Sequence, residues 1–427
     1  MSNRPIKEKG QAMIIAVVLF TAIAMTVIFG ATVPTARIVR EANDLYQSKM
    51  SYLTAESGTE DVVFRLKTGK AVSAIEEIAL NSATASTTIT ASGNDKQVIT
   101  TGDASLFIRK IETNLTTGTG AAFFYGVQVG NGGFTLANTS SVIGNVYANG
   151  TVEGAGSNLI KGDVVSAGAS GVVRDVHATS SVYAHTITNV TADKDAYFQS
   201  ISGSTITGTS YPGSADQPAL VMPVTDEEIE EWKSVAEAGG VISSPCPYKI
   251  NDVTTIGPKK INCDLEISGS GDVTLTGNLW VKGDIDISNT SKIKLDSSLG
   301  SNSVAIIADD PLNRSTSSTV KLSNSTTYEG SGTPNTHVVI VSMNNSNEIG
   351  GGTTAVEVKN SATGALLVYA PHGLVDIQNS VQLKEVTAYR ISLKNSASVV
   401  YETGLANLIF QSGPSGGFTI NGWKEIE

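Results

Sequence analysis

A charge-free apolar run from Ala12 to Val33, entered directly from the short charged stretch Met1 to Gly10, constrains how this chain must begin. Read as a helix rising about 1.5 Å per residue, the run reaches roughly 33 Å, enough to cross a bilayer core of about 30 Å. A secretory signal has a shorter apolar core and is cut after it, beside small residues. Here the small residue, Gly10, stands before the run, which predicts that the run is kept. Arg4, Lys7 and Lys9, with only Glu8 against them, predict a cytoplasmic N-terminus. Everything after Val33 is then expected outside.

The helical pattern continues past the run. Ile38, Ala42, Leu45, Met50 and Leu53 recur at three-to-five residue steps between Arg37, Arg40, Glu41, Asp44 and Lys49, an amphipathic stripe. A helix continuous from Ala12 to Leu66 extends about 80 Å, far beyond an ordinary globular helix. Pro34 lacks a backbone N–H and crowds the Gly30 carbonyl, so a kink or a locally melted turn is expected over Gly30 to Pro34.

The leader, the Lys9-Gly10-Gln11 junction and the apolar run resemble the start of type IV prepilins. Farther on, Ala55-Glu56-Ser57-Gly58, followed by Glu60 and Asp61, is similar to the element closing the N-terminal helix of PilX-like minor pilins. The resemblance covers roughly residues 1 to 67 of 427. It implies that a prepilin peptidase cuts after Gly10 on the cytoplasmic side, that Gln11 becomes the first residue, and that the helix joins other pilins and the pilus assembly machinery. Most pilins carry Glu at the fifth mature position, where it is thought to neutralise a neighbour's terminal amine; this chain has Ile15 there. That departure implies a tip- or initiation-type subunit rather than the body of a filament. An ordinary signal-anchor helix that never enters a filament is the plainer alternative.

Beyond the membrane segment the composition is that of an exported β protein. Forty-two glycines with abundant Ser, Thr and Asn, and 16% charged residues, fit short strands joined by tight turns. The net charge is -11, and removing a leader with three cations and one anion makes it more negative still. Such a surface does not recruit nucleic acid. Cys246 and Cys263 are expected to form one disulfide, worth about 3 kcal/mol for a loop of this size. His177, His185, His337 and His372 stand singly, so neither a metal site nor any cofactor is expected.

The body repeats a short unit. Cys263 to Ile267, Gly271 to Leu275, Gly277 to Val281, Gly283 to Ile287 and Ser291 to Leu295 each place two apolar residues around one outward residue, and several open with Gly-Asp or Gly-Asn. Hairpins could be built from such units. Units too short to bury a core alone nevertheless suit stacked solenoid coils. A looser version, Gly144-Asn145, Gly162-Asp163 and Arg174-Asp175, returns after 18 and then 12 residues.

The fold class expected is therefore mainly β: a transmembrane and stalk α-helix followed by a parallel β-helix (β-solenoid) head in two segments. The boundaries are a leader (1–10), the helix (11–69), a first solenoid segment with an N-terminal cap (70–211), a linker and short capping helix (212–240), and a second segment with the disulfide (241–427). Thr225 to Glu228 reads as a capping box, and Trp232 is expected to cover an exposed solenoid end. Asp226 to Glu231 reads as a solvated helix start.

β-Helices also host carbohydrate-active enzymes, for which Asp309-Asp310, Asp163, Asp175 with His177, and Asp376 are the candidate acids. None forms a motif, and Asp163 and Asp175 read as turn residues of the repeat. The expectation is a non-enzymatic minor pilus subunit of the bacterial cytoplasmic membrane and then the surface, whose head meets a glycan or protein ligand. The alternatives are a membrane-tethered envelope scaffold and, behind it, a tethered carbohydrate-active enzyme.

Overall fold

The computed structural model describes residues 8–67, 72–92, 95–117, 123–402, 405, 408–410 and 418–426. They form two compact units, one of residues 1–116 with 419–427 and one of residues 117–418.

In the first unit, α1 (Glu8–Lys67) runs for 60 residues with Pro34 inside it. The expected melted turn is not formed. Four antiparallel strands follow: β1 (Ile75–Leu80), β2 (Ala83–Ser92), β3 (Asp95–Ala104) and β4 (Phe107–Thr117), with the C-terminal strand Phe418–Ile426 beside β4. This corrects the expectation that the chain from residue 70 opens the first solenoid segment as its N-terminal cap and that residues up to 427 belong to the second segment. The strands of this meander pair antiparallel, which stacked solenoid coils do not, and most of their inward residues are small or β-branched: Ala83, Ala85, Thr87, Val98, Thr100, Ile111 and Thr113. Such residues let a helix lie close.

The second unit is a parallel β-solenoid: among its described residues the strands pair in parallel, with register shifts at a few places, and form no hairpin. Three of the short repeat units make one coil. Leu265–Ile267, Asp272–Leu275 and Leu279–Val281 are successive faces, and Ile285–Ile287 stacks on Leu265–Ile267 20 residues earlier. In the first segment Val146, Val164, Val182, Ala196 and Ser210 align, so coils advance by 18 and then 14 residues. The 12-residue return at Arg174 is a step to another face of the same coil. The interior is filled by stacked aliphatics such as Ile250, Ile267, Ile287 and Leu322, removed from water in every coil.

The two segments do not follow one another in space as they do in sequence. The last coil of the second segment, Glu385–Lys394, pairs in parallel with the first strand of the first, β5 (Val127–Ala137), through Val386 with Val127 and Ile391 with Phe134. The outer coils are thus Ser200–Pro212 at one end and Val241–Ile256 at the other. Residues 213–240 must therefore run back along the solenoid. They do so as a strap. Gln217 O accepts from Gly168 N, Pro218 O from Tyr147 Oη at 2.5 Å, Leu220 O from Asn149 Nδ2 at 2.7 Å, and Val221 O from Gln128 Nε2 at 2.8 Å. The strap ends in α2 (Asp226–Ala238), whose Thr225–Glu228 capping box is formed. The expected end cap is thereby corrected. Trp232 is buried on the flank with Ile307, Val341 and Phe410, because a linker joining opposite ends has to cover the side between them.

Two rows of side chains lace the coils. The Asp or Asn of the repeat accepts the backbone N–H of the next coil: Asn145 from Asp163 at 2.9 Å, Asp163 from Ser181 at 3.0 Å, and Asp264 from Asp284 at 2.8 Å. In the second row Asn138, Asn395, Asn379, Asn360 and Asn324 each join the next, Nδ2 to Oδ1, at 3.0–3.3 Å. All five adopt the left-handed conformation, φ 53–61°, which Asn tolerates better than other non-glycine residues. This ladder passes unbroken across the junction between the segments.

Candidate functional site: a bare apolar helix on an antiparallel sheet

From Ala12 to Tyr46, α1 is almost wholly uncovered by its own chain, with Met13, Ile15, Phe20, Ile28 and Phe29 all exposed. It is the one helix among the described residues long and apolar enough to cross a membrane. Within the apolar part its threonines are self-satisfied: Thr21, Thr26, Thr32 and Thr35 donate to Val17, Ala22, Ile28 and Ala31 carbonyls at 2.7–2.9 Å. A polar group placed in lipid needs that. Ile15 offers only hydrocarbon, and nothing lies within 4 Å of a Cβ built on Gly30. Gly10 and Gln11 lie in the first turns of α1, whereas Arg4 and Lys7 fall outside the described residues.

Farther along, the helix is clamped to the sheet. Ala55 and Gly58 face inward while Glu56 and Ser57 are half-exposed, so the Ala-Glu-Ser-Gly element acts through its small residues. A Cβ on Gly58 would stand 2.9 Å from Thr100 Cγ2 and 3.1 Å from Ala85 Cβ. Around it Ser51 Oγ donates to Gly102 O at 2.7 Å and Thr59 Oγ1 to Thr100 Oγ1 at 2.8 Å. The stripe seen in the sequence is not what the sheet covers: Ile38, Ala42, Leu45 and Leu53 are exposed and only Met50 is half-buried.

In the solenoid, the candidate acids do not converge. Asp309 is fully buried between Lys233 Nζ at 2.6 Å and Arg314, whose Nε and Nη2 each lie at 2.8 Å, pinning α2 to the coils. Asp310 accepts from Leu312 N within its turn, and Asp376 pairs with Lys394 at 3.1 Å. Asp163 laces coils, and Asp175, at φ 56°, accepts from Asn189 while His177 meets Asp193 at 3.1 Å. The acidic start of α2 is engaged rather than merely solvated: Asp226 meets His372 Nε2 at 2.9 Å and Glu230 meets Lys233 at 2.7 Å. Cys246 and Cys263 form the disulfide, Cα–Cα 5.8 Å, joining two adjacent coils.

Sequence reasoning missed three features. Tyr183, Tyr197 and Tyr211 stack with centroids 4.5 and 4.6 Å apart; their regular 14-residue spacing was the available signal. The asparagine ladder was announced by repeated Asn-Ser pairs at 324, 360, 379 and 395.

Glu385 is the third. It is fully buried with one oxygen unpartnered, and burial pushes its carboxyl well above the ordinary value of 4.5. The folded head then holds a proton that the unfolded chain has released. Stability is full below pH 4.5 and falls as pH rises toward the folded value, by up to about 1.4 kcal/mol per pH unit. Glu385→Gln is expected to remove that component and to stabilise the head at neutral pH. Denaturant titrations of both proteins from pH 5 to 8 check this, and parallel pH profiles would refute it.

No protein-family model matches this chain, and no curated protein sequence matches it. Among solved structures, the competence-associated pilin ComZ from Thermus thermophilus aligns over 89% of this chain and 97% of that one, at 10% identity and a TM-score of 0.36. That likeness is too loose to bear on function.

Proposed function

We propose that this chain is a minor, tip- or initiation-type subunit of a type IV pilus or related filament, carried by α1 and displaying the solenoid for surface or cell contact. The observation that carries this reading is the division of α1: an uncovered apolar part whose threonines are self-satisfied, and a later part clamped to a sheet by Ala55 and Gly58. A helix of this design can exchange lipid for neighbouring helices at little hydrophobic cost. Ile15 brings no charge into that environment, in keeping with a subunit that needs no amine partner. The solenoid acids are each engaged in separate structural pairs, which supports a display role over catalysis. The half-exposed tyrosine stack is the candidate recognition surface.

The test is mass mapping of the protein's N-terminus in membrane and sheared-filament fractions, from cells with and without prepilin peptidase. A filament-borne peptide beginning at Gln11 and dependent on the peptidase is the expected result. An intact leader confined to membranes would leave the tethered envelope scaffold as the better reading.

A further inference from the structure

Lys233 lies on the inward face of α2, among Ile229, Trp232 and Ala236, and only 2% of it reaches water. A lysine is almost never buried so fully without a partner. Its ammonium group meets two carboxylates, Asp309 Oδ2 at 2.6 Å and both oxygens of Glu230 at 2.7 Å. Asp309 is itself wholly buried. The Trp280 ring lies 4.7 Å from Lys233 Nζ, and its indole N–H donates to the Asp309 backbone carbonyl at 2.9 Å, which fixes where the Asp309 side chain starts. On the other side Arg314 grips the carboxylate, Nε to Oδ1 and Nη2 to Oδ2, each at 2.8 Å.

An amine is thus held against a carboxyl group, with a second carboxylate on the amine and a guanidinium on the carboxyl. Holding two reactants in contact replaces a bimolecular encounter. A buried ion pair also keeps a desolvation cost that a neutral amide does not carry. The side chain of Glu230 is 54% exposed, so this edge of the cluster is open for a small product to leave. Glu230 Oε1 already accepts from Arg314 Nη2 at 3.1 Å, and loss of the Lys233 and Asp309 charges would leave that pair intact.

We propose that Lys233 and Asp309 condense, with no other reactant, into an isopeptide bond that fastens α2 covalently to the coil strand ending at Ala308. Glu230 takes one proton from the ammonium, and the freed amine attacks Asp309 Cγ while Arg314 holds the negative oxygens. A second proton passes from the nitrogen to Oδ2, Glu230 returns the first, and Oδ2 leaves as water as the C–O bond breaks. Ammonium and carboxylate become amide and water, with nothing oxidised or reduced. Oδ1 remains as the amide oxygen, still accepting from Arg314 Nε. The bond joins residues 76 apart in the chain and makes the attachment of α2 permanent. It does not depend on whether the chain enters a filament.

The test is mass spectrometry of the full chain, purified in detergent from cells lacking prepilin peptidase so that every sample shares one N-terminus. With its disulfide reduced, the wild-type protein is expected to weigh one water less than its sequence, and its digest to contain a branched peptide joining Lys233 to Asp309. Asp309→Ala is expected at its full sequence mass. Glu230→Gln still accepts from Lys233 but cannot take its proton, and is expected to slow formation of the branched peptide about a hundredfold in freshly made protein. Wild-type protein at its full sequence mass, with residues 233 and 309 in separate peptides, would show an ion pair only and overturn the bond. Branching in Glu230→Gln as fast as in wild type would overturn the proton transfer through Glu230.

Discussion

Gly102→Val detaches α1 from its sheet. A Cβ at position 102 would stand 2.1 Å from the Ser51 carbonyl oxygen and 2.9 Å from the Ala55 nitrogen, and both are helix backbone atoms that no rotamer change can move. Relief requires the helix to lift, which breaks the Ser51 bond to Gly102 O and opens the buried layer of Ala55, Thr59 and Val62. The expected loss is about 3 kcal/mol or more, at the upper end for overpacking because the obstacle is rigid. Denaturation of the full chain in detergent should show the helix–sheet transition displaced to lower denaturant and the solenoid transition unmoved. Coincident curves for mutant and wild type would show that the close approach is not formed.

An effect of similar size is expected in the head from Val386→Asp. Val386 stands in the interior column between Val368 and Val127, where the two segments meet, and none of its surface reaches water. A carboxylate there has no partner, and burying it costs about 4 kcal/mol or more. The junction should open, leaving the segments held by the strap alone. Limited proteolysis, followed by sizing of the fragments, would report separate products where wild-type coils stay together. Gln382→Asp, on an exposed residue nearby, is the control. Equal resistance in Val386→Asp and wild type would rule out the junction.

How much of this was legible in the sequence depended on whether each signal was local. The apolar run and its amphipathic continuation announced α1, because length and periodicity within one segment suffice. The Gly-Asp and Gly-Asn starts announced the solenoid, because every coil repeats the same turn. Coil length was obscured by inserted loops: Ile287 pairs with Leu322 and then Val358, far beyond the 20-residue advance of the preceding coil. The stretch over 75–117 suggests a solenoid cap rather than a separate meander because many of its inward positions are Ala, Thr and Gly, which a close helix demands and a hydrophobic pattern hides. The order of the segments could not be read from periodicity, since the pairing of Val386 with Val127 has no local signature.

The junction also sets a timetable. β5 is made early and acquires its partner, Glu385–Lys394, only after the second solenoid segment has been made up to that strand. β4 likewise waits for Phe418–Ile426, the final strand. A nascent molecule therefore carries these two strand edges open while the intervening residues are made, each a template for wrong pairing until its partner arrives. A chain interrupted before residue 385 would leave both edges open at once.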